Sequence, residues 1–328
     1  MTARLSPRCC CRPLRAQCQH DVASGARLGW TVMSPAGGWL AGFRTFGQRA
    51  KILYVDDYRD INKASWDERA PAHAASPGYN VQGFVDDPGL ISHVVQFDRP
   101  LLGQVSGLRG IHLQCHIGTD TVSLSRLGAR MTGLDFSPAS LAQARALVAR
   151  TADDVNFVES EVYDAVAALG GEQFDLVFTG VGALCWLPSI STWAATVAAL
   201  LKPGGRLFIR EGHPMLWSLA DSRVDGLVVV DFPYFERDEP IVWTEGGTYV
   251  ETDAVFVANT THEWNHGLGE IVTALQSEGL QLTGLVEHDC VPWEALPGQM
   301  TKDERGEWRL SERPWRLAAS YTLQAVKR

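Results

Sequence analysis

The sequence lacks the features that define several protein classes. No apolar run approaches the roughly 20 residues that a membrane-spanning helix needs, and the longest, residues 176–187, is interrupted by Thr179, Gly180 and Gly182. Charged residues are only 20% of the 328 residues, hydrophobic residues are 45%, and no internal repeat is present. This composition excludes collagen, coiled coil and low-complexity disorder. It predicts a soluble globular protein, located in the cytoplasm, with no membrane partner.

Cysteine is present without a pattern. Four of the seven cysteines lie near the start of the chain: Cys9, Cys10, Cys11 and Cys18. An odd number at irregular spacing does not indicate a disulfide framework. Three adjacent cysteine side chains do not easily converge on one tetrahedral ion. The sequence therefore predicts no metal site.

Charge divides the chain into two parts. Residues 1–50 contain seven Arg, no Lys and one acid, Asp21, a net charge of +6. Since the whole chain carries −9, residues 51–328 carry −15. An acidic body repels a phosphate backbone, so we expect a small-molecule partner and no nucleic acid. Residues 1–53 are predicted to be a disordered Arg/Cys-rich extension, with a transit-type peptide and an alternative start at Met33 as open interpretations.

Residues 54–328 are predicted to form one domain, because no Gly/Ser or Pro linker divides them. Helical segments over 57–75 and 88–96 indicate an N-terminal helical cap at 54–104. Strands and helices then alternate, which favours a mostly parallel sheet with helices on both faces. The strands are predicted at 110–113, 131–134, 155–158, 174–178, 206–210, 280–286 and 319–326.

Two features complete the predicted α/β doubly wound fold. The last two strands lack a clear crossover helix between them, which indicates an antiparallel pair at the edge of the sheet. Residues 213–261 break the alternation and are rich in aromatic side chains, including Trp217 and Trp243. We expect this segment to be an inserted lid.

The turn after the first strand is the first candidate ligand loop, because ligands of such sheets bind outside the carboxyl ends of the strands. Residues 112–121 read HLQCHIGTDT, and only Gly118 remains from a dinucleotide fingerprint. Bulky Gln114 and His116 obstruct the close approach of a pyrophosphate. Asp135 closes the second strand, where an acid can accept hydrogen bonds from ribose hydroxyls or cap the following helix.

Taken together, four segments resemble the motifs of class I S-adenosylmethionine-dependent methyltransferases. They are residues 112–120, 133–137, 174–177 and 201–207, and the match covers roughly residues 105–212. The run from Gln114 to Gly118 resembles a subgroup of that family with this form of the first loop. His112 stands where most members have an acid, and Gln114 and His116 stand where they have glycine. The resemblance implies a seven-stranded, Rossmann-like sheet that ends in a reversed strand.

The resemblance also implies roles for individual residues. The backbone around Gln114, Cys115, His116 and Gly118 would hold the methionine moiety of S-adenosylmethionine, and Asp135 the ribose. Phe136 would lie against the adenine. Glu161 would accept a hydrogen bond from the adenine amino group, and the backbone of Val162 would contact the adenine ring. The loop at Thr179 and Gly180 would pass under the sulfonium. A surface acid is the alternative interpretation of Glu161.

Candidate catalytic residues follow the fifth strand. Glu211 and His213 lie where a general base would meet the acceptor, and histidine has a pKa near neutrality. We also place His213 with Trp186 and Trp217 in the predicted acceptor pocket. Capping and packing are the alternatives for each of them, and for His262 and His266.

The function predicted from these residues is S-adenosylmethionine-dependent methyl transfer to a small or medium-sized molecule by in-line displacement. A non-catalytic S-adenosylmethionine-binding regulatory protein is one alternative. A nucleotide-cofactor oxidoreductase is another, disfavoured by the obstructed first loop. No acceptor-specific motif follows the fourth strand, so the acceptor atom and the oligomeric state stay open.

Overall fold

The computed structural model describes residues 47–328, with side chains described from Tyr58 onward. Most of the predicted disordered extension therefore lies outside the described residues. The first helix begins at Gly47, ten residues before the predicted start at Asp57, and ends at Ala75 as expected. No helix within the described residues is both long and apolar enough to cross a membrane.

Helices and strands alternate through the centre of the chain, as predicted. The helices are α1 (Gly47–Ala75), α2 (Val81–Asp86), α3 (His93–Leu102), α4 (Thr119–Arg126), α5 (Pro138–Thr151), α6 (Ala165–Ala168), α7 (Ile190–Leu200), α8 (Pro214–Trp217) and α9 (Leu268–Ser277). The first six strands are β1 (Arg109–Leu113), β2 (Arg130–Asp135), β3 (Val155–Glu159), β4 (Phe174–Thr179), β5 (Leu201–Gly212) and β6 (Ile241–Trp243). The others are β7 (Thr261–Glu263), β8 (Leu280–His288), β9 (Cys290–Val291), β10 (Met300–Lys302), β11 (Trp308–Leu310) and β12 (Ser320–Lys327).

The central sheet has seven strands in the order β3-β2-β1-β4-β5-β12-β8. The pairs from β3 to β5 are parallel, whereas β12 runs antiparallel to both β5 and β8. The predicted doubly wound sheet and the antiparallel pair at its edge are confirmed. Strand order reverses between β1 and β4, and a crevice forms at such a switch point, outside the carboxyl ends of the strands.

Alternating side chains of the central strands divide between two apolar cores. Ile111, Val177 and Ile209 face the core that α7 and α9 cover. Phe178 and Phe208 face the core beneath α3, α4 and α5. These fully buried strands hold the loops at their carboxyl ends in place.

Local sequence explains where two helices begin. Ser137 caps α5 by accepting a hydrogen bond from Ser140 N, with Pro138 at the first helical position. The helix predicted over 88–96 is wrong in its bounds, because residues 88–90 form a turn. Ser92 instead caps α3, and its side chain accepts a hydrogen bond from Val95 N.

Residues 213–261 contain little regular structure. Helix α8 follows β5 directly, and β6 pairs with β7 to form a separate two-stranded sheet. A three-stranded sheet of β9, β11 and β10 lies in the irregular segment between β8 and β12. Helix α1 packs against α5 and β7, so the N-terminal helix lies over the crevice side of the domain.

Candidate active site

The loop between β1 and α4 has the backbone of a glycine-rich turn. Gln114, His116 and Gly118 take left-handed φ values of 56°, 50° and 81°. A Cβ at Gly118 would lie 2.9 Å from both Ala144 Cβ and the Phe157 ring, so no other residue fits there. A non-glycine residue in this conformation costs about 1–2 kcal/mol. Gln114 and His116 must therefore be held by their own contacts.

His116 is held on three sides. Its backbone N–H donates to Asp135 Oδ2 at 2.8 Å. Its ring Nδ1 lies 3.0 Å from Ser140 Oγ, and its Nε2 lies 2.8 Å from Nδ1 of His73 on α1. Burial lowers the pKa of His116 to about 3 and that of His73 well below its usual value. Two neutral imidazoles share one proton in this contact, and the pair ties α1 to the loop.

Gln114 joins the loops after β1 and β4. Its Nε2 donates to Ala183 O at 3.0 Å. Its Oε1 is buried and has no hydrogen-bond partner among the described residues. An unpaired buried acceptor is expensive, so the structure leaves an acceptor available for a ligand that enters this crevice.

The side chain of Cys115 lies beneath the loop rather than in the crevice. Its Sγ would be 2.8 Å from a Cβ on Gly133, and the residue is 4% exposed. Its backbone N–H donates to Leu134 O at 2.9 Å. Any contact that Cys115 makes to a ligand must therefore come from its carbonyl group.

Asp135 ends β2 beside the loop, as predicted. Oδ2 accepts the His116 N–H, and Oδ1 accepts the Ser137 N–H at 2.9 Å. Burial raises the Asp135 pKa to about 6, while these hydrogen bonds lower it. A carboxylate has about four lone-pair sites, so it can cap the turn and also accept ribose hydroxyls. The two interpretations of Asp135 are compatible.

Glu161 and Val162 follow β3, at the same edge of the sheet. Glu161 Oε2 accepts the Tyr163 N–H at 2.6 Å and lies 3.4 Å from Arg59 Nη2 on α1. Burial raises the Glu161 pKa, and Arg59 lowers it. Val162 is buried in the core under α7. Glu161 is therefore a partly buried, paired acid rather than a free surface acid.

The loop after β4 is held by a single carboxylate. Oε1 of Glu211 accepts from Gly182 N at 2.6 Å and from its neighbour Gly212 N at 2.7 Å. Oε2 accepts from Ala183 N and Leu184 N at 2.8 and 2.9 Å. Burial raises the Glu211 pKa and the four backbone donors lower it. Both oxygens are already saturated, which leaves no lone pair for a substrate proton.

His213 does not face the cofactor loop. Its Nδ1 accepts from Met215 N at 3.0 Å, which caps α8, so the ring proton lies on Nε2. Nε2 lies 3.0 Å from Glu287 Oε1 on β8, towards the edge of the sheet. Burial lowers the His213 pKa and Glu287 raises it. Neither ring nitrogen is free to accept a proton in this geometry, and the general-base role of His213 stays a prediction.

Trp186 lies between the loop after β4 and helix α1. Its Nε1 donates to Gly182 O at 2.9 Å. Trp66 on α1 lies edge-on to Trp186, with ring centroids 5.2 Å apart, and also to His116 at 4.9 Å. Trp66 therefore spans the loops after β1 and β4, the two places that sequence analysis assigned to the cofactor.

A small aromatic cavity lies beyond Glu211, at the end of β5. Its lining includes Glu211, Trp217, Trp264, His266 and Tyr321. Trp217 covers Gly212, where a Cβ would lie 2.5 Å from the indole ring. The predicted acceptor residue Trp217 therefore lines a cavity beside β5, whereas Trp186 lies on the other side of the loop after β4.

His266 braces this region. Its Nε2 lies 2.9 Å from Leu187 O and 3.1 Å from Leu184 O, and its Nδ1 lies 2.8 Å from Glu236 Oε2. His262 lies in β7, where its backbone pairs with the Asn62 side chain through two 2.8 Å hydrogen bonds. Both histidines join segments of the chain, as the packing interpretation predicts.

Sequence analysis missed two residues that contact the first loop. Trp66 and His73 belong to α1, whose helical pattern does not by itself indicate a relation to that loop. The spacing of seven residues between Trp66 and His73 places both on one face of the helix. This spacing is the feature of the sequence from which their shared position could have been predicted.

Comparisons with known proteins agree with this geometry. A family profile described as "Methyltransferase domain" matches residues 111–207. A ubiquinone biosynthesis O-methyltransferase of Xanthomonas axonopodis pv. citri is 33% identical over 224 residues, covering 68% of this chain and 77% of the relative. A protein of the same description from Methylobacterium sp. is 27% identical over 242 residues, covering 71% and 85%.

A solved structure shows the same fold. A protein described as an S-adenosylmethionine-dependent methyltransferase from Listeria monocytogenes aligns with a TM-score of 0.52 at 16% identity, covering 72% of this chain and 97% of that chain. The comparisons support neither the oxidoreductase nor the non-catalytic interpretation. The chain therefore belongs to the S-adenosylmethionine-dependent methyltransferases and methylates a small molecule with S-adenosylmethionine as the donor.

Proposed function

We propose that the protein methylates a hydroxyl group of a small aromatic molecule. The observation that carries this proposal is the group of aromatic side chains at the end of β5, Trp217, Trp264 and Tyr321, which enclose a space of about 10 Å³ that must widen to admit an acceptor. Aromatic side chains favour a flat apolar acceptor through edge and stacking contacts. The similarity to ubiquinone biosynthesis O-methyltransferases supports oxygen as the acceptor atom.

The crevice residues fit S-adenosylmethionine. Gln114 Oε1 is a buried acceptor without a partner among the described residues, and Asp135 retains lone pairs beside its two backbone bonds. Bound there, the sulfonium group supplies an activated methyl group for in-line displacement. In this proposal, the backbone from Gln114 to Gly118 holds the methionine moiety.

The remaining cofactor contacts follow the strand ends. Asp135 accepts the ribose hydroxyls, and Phe136, the next residue, lies against the adenine. Glu161 accepts the adenine amino group with the oxygen that does not bind Tyr163 N, while the backbone of Val162 contacts the ring. The fully buried Thr179 hydroxyl has no partner among the described residues, and Gly180 next to it leaves room under the sulfonium.

Glu211 and His213 act in this proposal as positioning residues rather than proton acceptors. Glu211 holds residues 182–184 through three backbone N–H groups, and His213 caps α8 at the start of the segment 213–261. That segment and the N-terminal cap 54–104 close over the crevice and exclude water. Alignment and exclusion of water then carry the rate enhancement.

The proposal includes a cytoplasmic location. Cys115, Cys185 and Cys290 are buried and form no disulfide with one another, which suits a reducing compartment. No disulfide occurs within residues 58–328, the part whose side chains the structure describes.

The test is a panel of acceptors incubated with the full-length protein and S-adenosylmethionine. We expect S-adenosylhomocysteine to form with small phenols and catechols, and much less with anilines, thiols or aliphatic alcohols. Trp217→Ala should raise the KM for the best phenol at least tenfold, whereas Trp315→Ala, a change at a 79% exposed ring, should leave it unchanged. Transfer to amines or thiols alone would refute oxygen as the acceptor atom.

A further inference from the structure

A buried, neutral histidine, His112, lies near the carboxyl end of β1. His112 is 3% exposed, and its Nδ1 lies 2.9 Å from Thr121 Oγ1. Its ring packs edge-on against Phe178. Burial lowers the His112 pKa to about 3, so the ring is neutral at physiological pH. It cannot pair with a positive charge that enters the crevice.

The methionyl end of S-adenosylmethionine carries an α-ammonium group. A buried ammonium group needs an anionic partner, because desolvating an unpaired charge is very costly. Three acids at the crevice hold backbone amides of the fold: Asp135 accepts from two, Glu211 from four, and Asp67 from Ala139 N and also from Ser137 Oγ. Asp120 is different, because the hydrogen bond it receives comes from the Ser92 side chain and not from the backbone.

Asp120 reaches the space beside the loop after β4. A Cβ on Gly180 would lie 3.7 Å from Asp120 Oδ2 and 3.5 Å from His112 Nε2. Apart from the chain neighbours of Gly180, no other atom of the described residues comes within 4 Å of that point. The carboxylate and the neutral imidazole therefore border the same open position, between the ends of β1 and β4.

Asp120 forms no salt bridge with a described side chain. Burial raises the Asp120 pKa, and a cation bound beside it would lower that pKa again. Its neighbours are Ser92, which bonds to it, and the more distant charges of His93 and Arg210. Arg210 is committed elsewhere, since it forms two hydrogen bonds to Glu307 at 2.6 and 3.2 Å.

We propose that the Asp120 carboxylate binds the α-ammonium group of the cofactor beside the neutral His112 ring, with Gln114 Oε1 as a second acceptor. This inference rests on the cofactor position given in the proposed function. It deepens that position by naming the residue that selects a cofactor with an amino group. Asp120 on α4 thus supplies the negative charge that the neutral His112 on β1 does not supply.

Calorimetry on the full-length protein with three probes tests this proposal. The probes are S-adenosylhomocysteine, its deaminated analogue and 5′-methylthioadenosine, which lacks the whole amino-acid end. Asp120→Asn should weaken S-adenosylhomocysteine binding about 10- to 100-fold, the range for a lost hydrogen bond between charged groups. The affinities for the deaminated analogue and 5′-methylthioadenosine should change less than about twofold, since neither probe carries the group that Asp120 binds.

Two further variants complete the test. Asp98→Asn is the matched control, because Asp98 is a buried acid near Arg210 and Asp120, and it should leave the ratio of the three affinities unchanged. Adding His112→Asp to Asp120→Asn should restore part of the preference for S-adenosylhomocysteine. If Asp120→Asn fails to fold, Asp120→Glu should lower the same ratio while thermal unfolding stays cooperative.

The outcomes separate the two levels of the argument. An equal loss for S-adenosylhomocysteine and 5′-methylthioadenosine in Asp120→Asn would overturn the inference, because it would mean a general loosening of the crevice. The same selectivity loss in Asp98→Asn would also overturn it. Absence of S-adenosylhomocysteine binding by the unmodified protein would instead refute the cofactor position itself.

Discussion

The loop after β1 and the end of β5 lie at the same edge of the sheet and carry similar side chains, but they use their polar atoms differently. At β5, the Glu211 oxygens and both nitrogens of His213 are paired within the protein. At β1, Gln114 Oε1 has no partner among the described residues, and each Asp135 oxygen accepts one backbone hydrogen bond and keeps a further lone pair. Acids and histidines at strand ends are therefore not equivalent candidates. In our proposal, the side chains that retain an open lone pair contact the ligand, and the saturated ones hold the backbone.

The largest effect is expected where the scaffold is broken. Glu211→Gln would turn an amide N–H₂ towards backbone donors that a carboxylate oxygen now accepts. Leaving two buried donors unpaired should lower the free energy of unfolding by about 2–4 kcal/mol, measured by urea denaturation. Glu287→Gln, at a side chain 55% exposed, is the control and should cost under about 1 kcal/mol. If Glu211→Gln unfolds at the same urea concentration as the unmodified protein, the hydrogen bonds of the Glu211 carboxylate do not stabilise the fold.

The next effect belongs to the cofactor side. Asp135→Ala should weaken S-adenosylhomocysteine binding by about 1.5–3 kcal/mol, the range for a lost hydrogen bond to a charged group. Calorimetry measures it, with Asp164→Ala as a control at a neighbouring exposed acid. Unchanged affinity in a folded Asp135→Ala variant would leave Asp135 as a turn cap only.

Most strand positions follow from the sequence because hydrophobic periodicity and turn residues are local signals. The order of the strands in the sheet was not predicted, because it depends on contacts between distant segments. The lid and cap boundaries stay predictions. The state of each strand-end side chain could not be predicted, because its partners come from distant segments. Glu211 meets residues 182–184 and His213 meets Glu287 on β8. Nothing in the short run after β5 encodes those contacts.

A third prediction tests this reassignment of His213. Removing the α8 cap with His213→Ala should cost about 0.5–2 kcal/mol of stability, and turnover should fall less than about threefold with an unchanged pH profile. His213→Asn retains a capping side chain and should recover most of that stability. A general base would instead give a 10²- to 10⁴-fold loss of turnover. The fall in turnover on the acidic side of the pH profile, at the histidine pKa of about 6.5, would also disappear.

The smallest effect is expected within the first loop, where two contributions oppose each other. His116→Gly relieves about 1–2 kcal/mol of left-handed strain, but it removes the ring contacts to Ser140 and His73, worth about 0.5–1.5 kcal/mol each. Because these contributions nearly cancel, His116→Gly should change the free energy of unfolding by no more than about 1 kcal/mol. His73→Ala breaks the same imidazole pair, and also the 2.6 Å contact to Thr248 Oγ1, without relieving strain. It should therefore be the more destabilising of the two by about 1–2 kcal/mol in urea titrations. Equal losses would show that His116 is not strained, and that the loop does not depend on glycine-like backbone angles at that position.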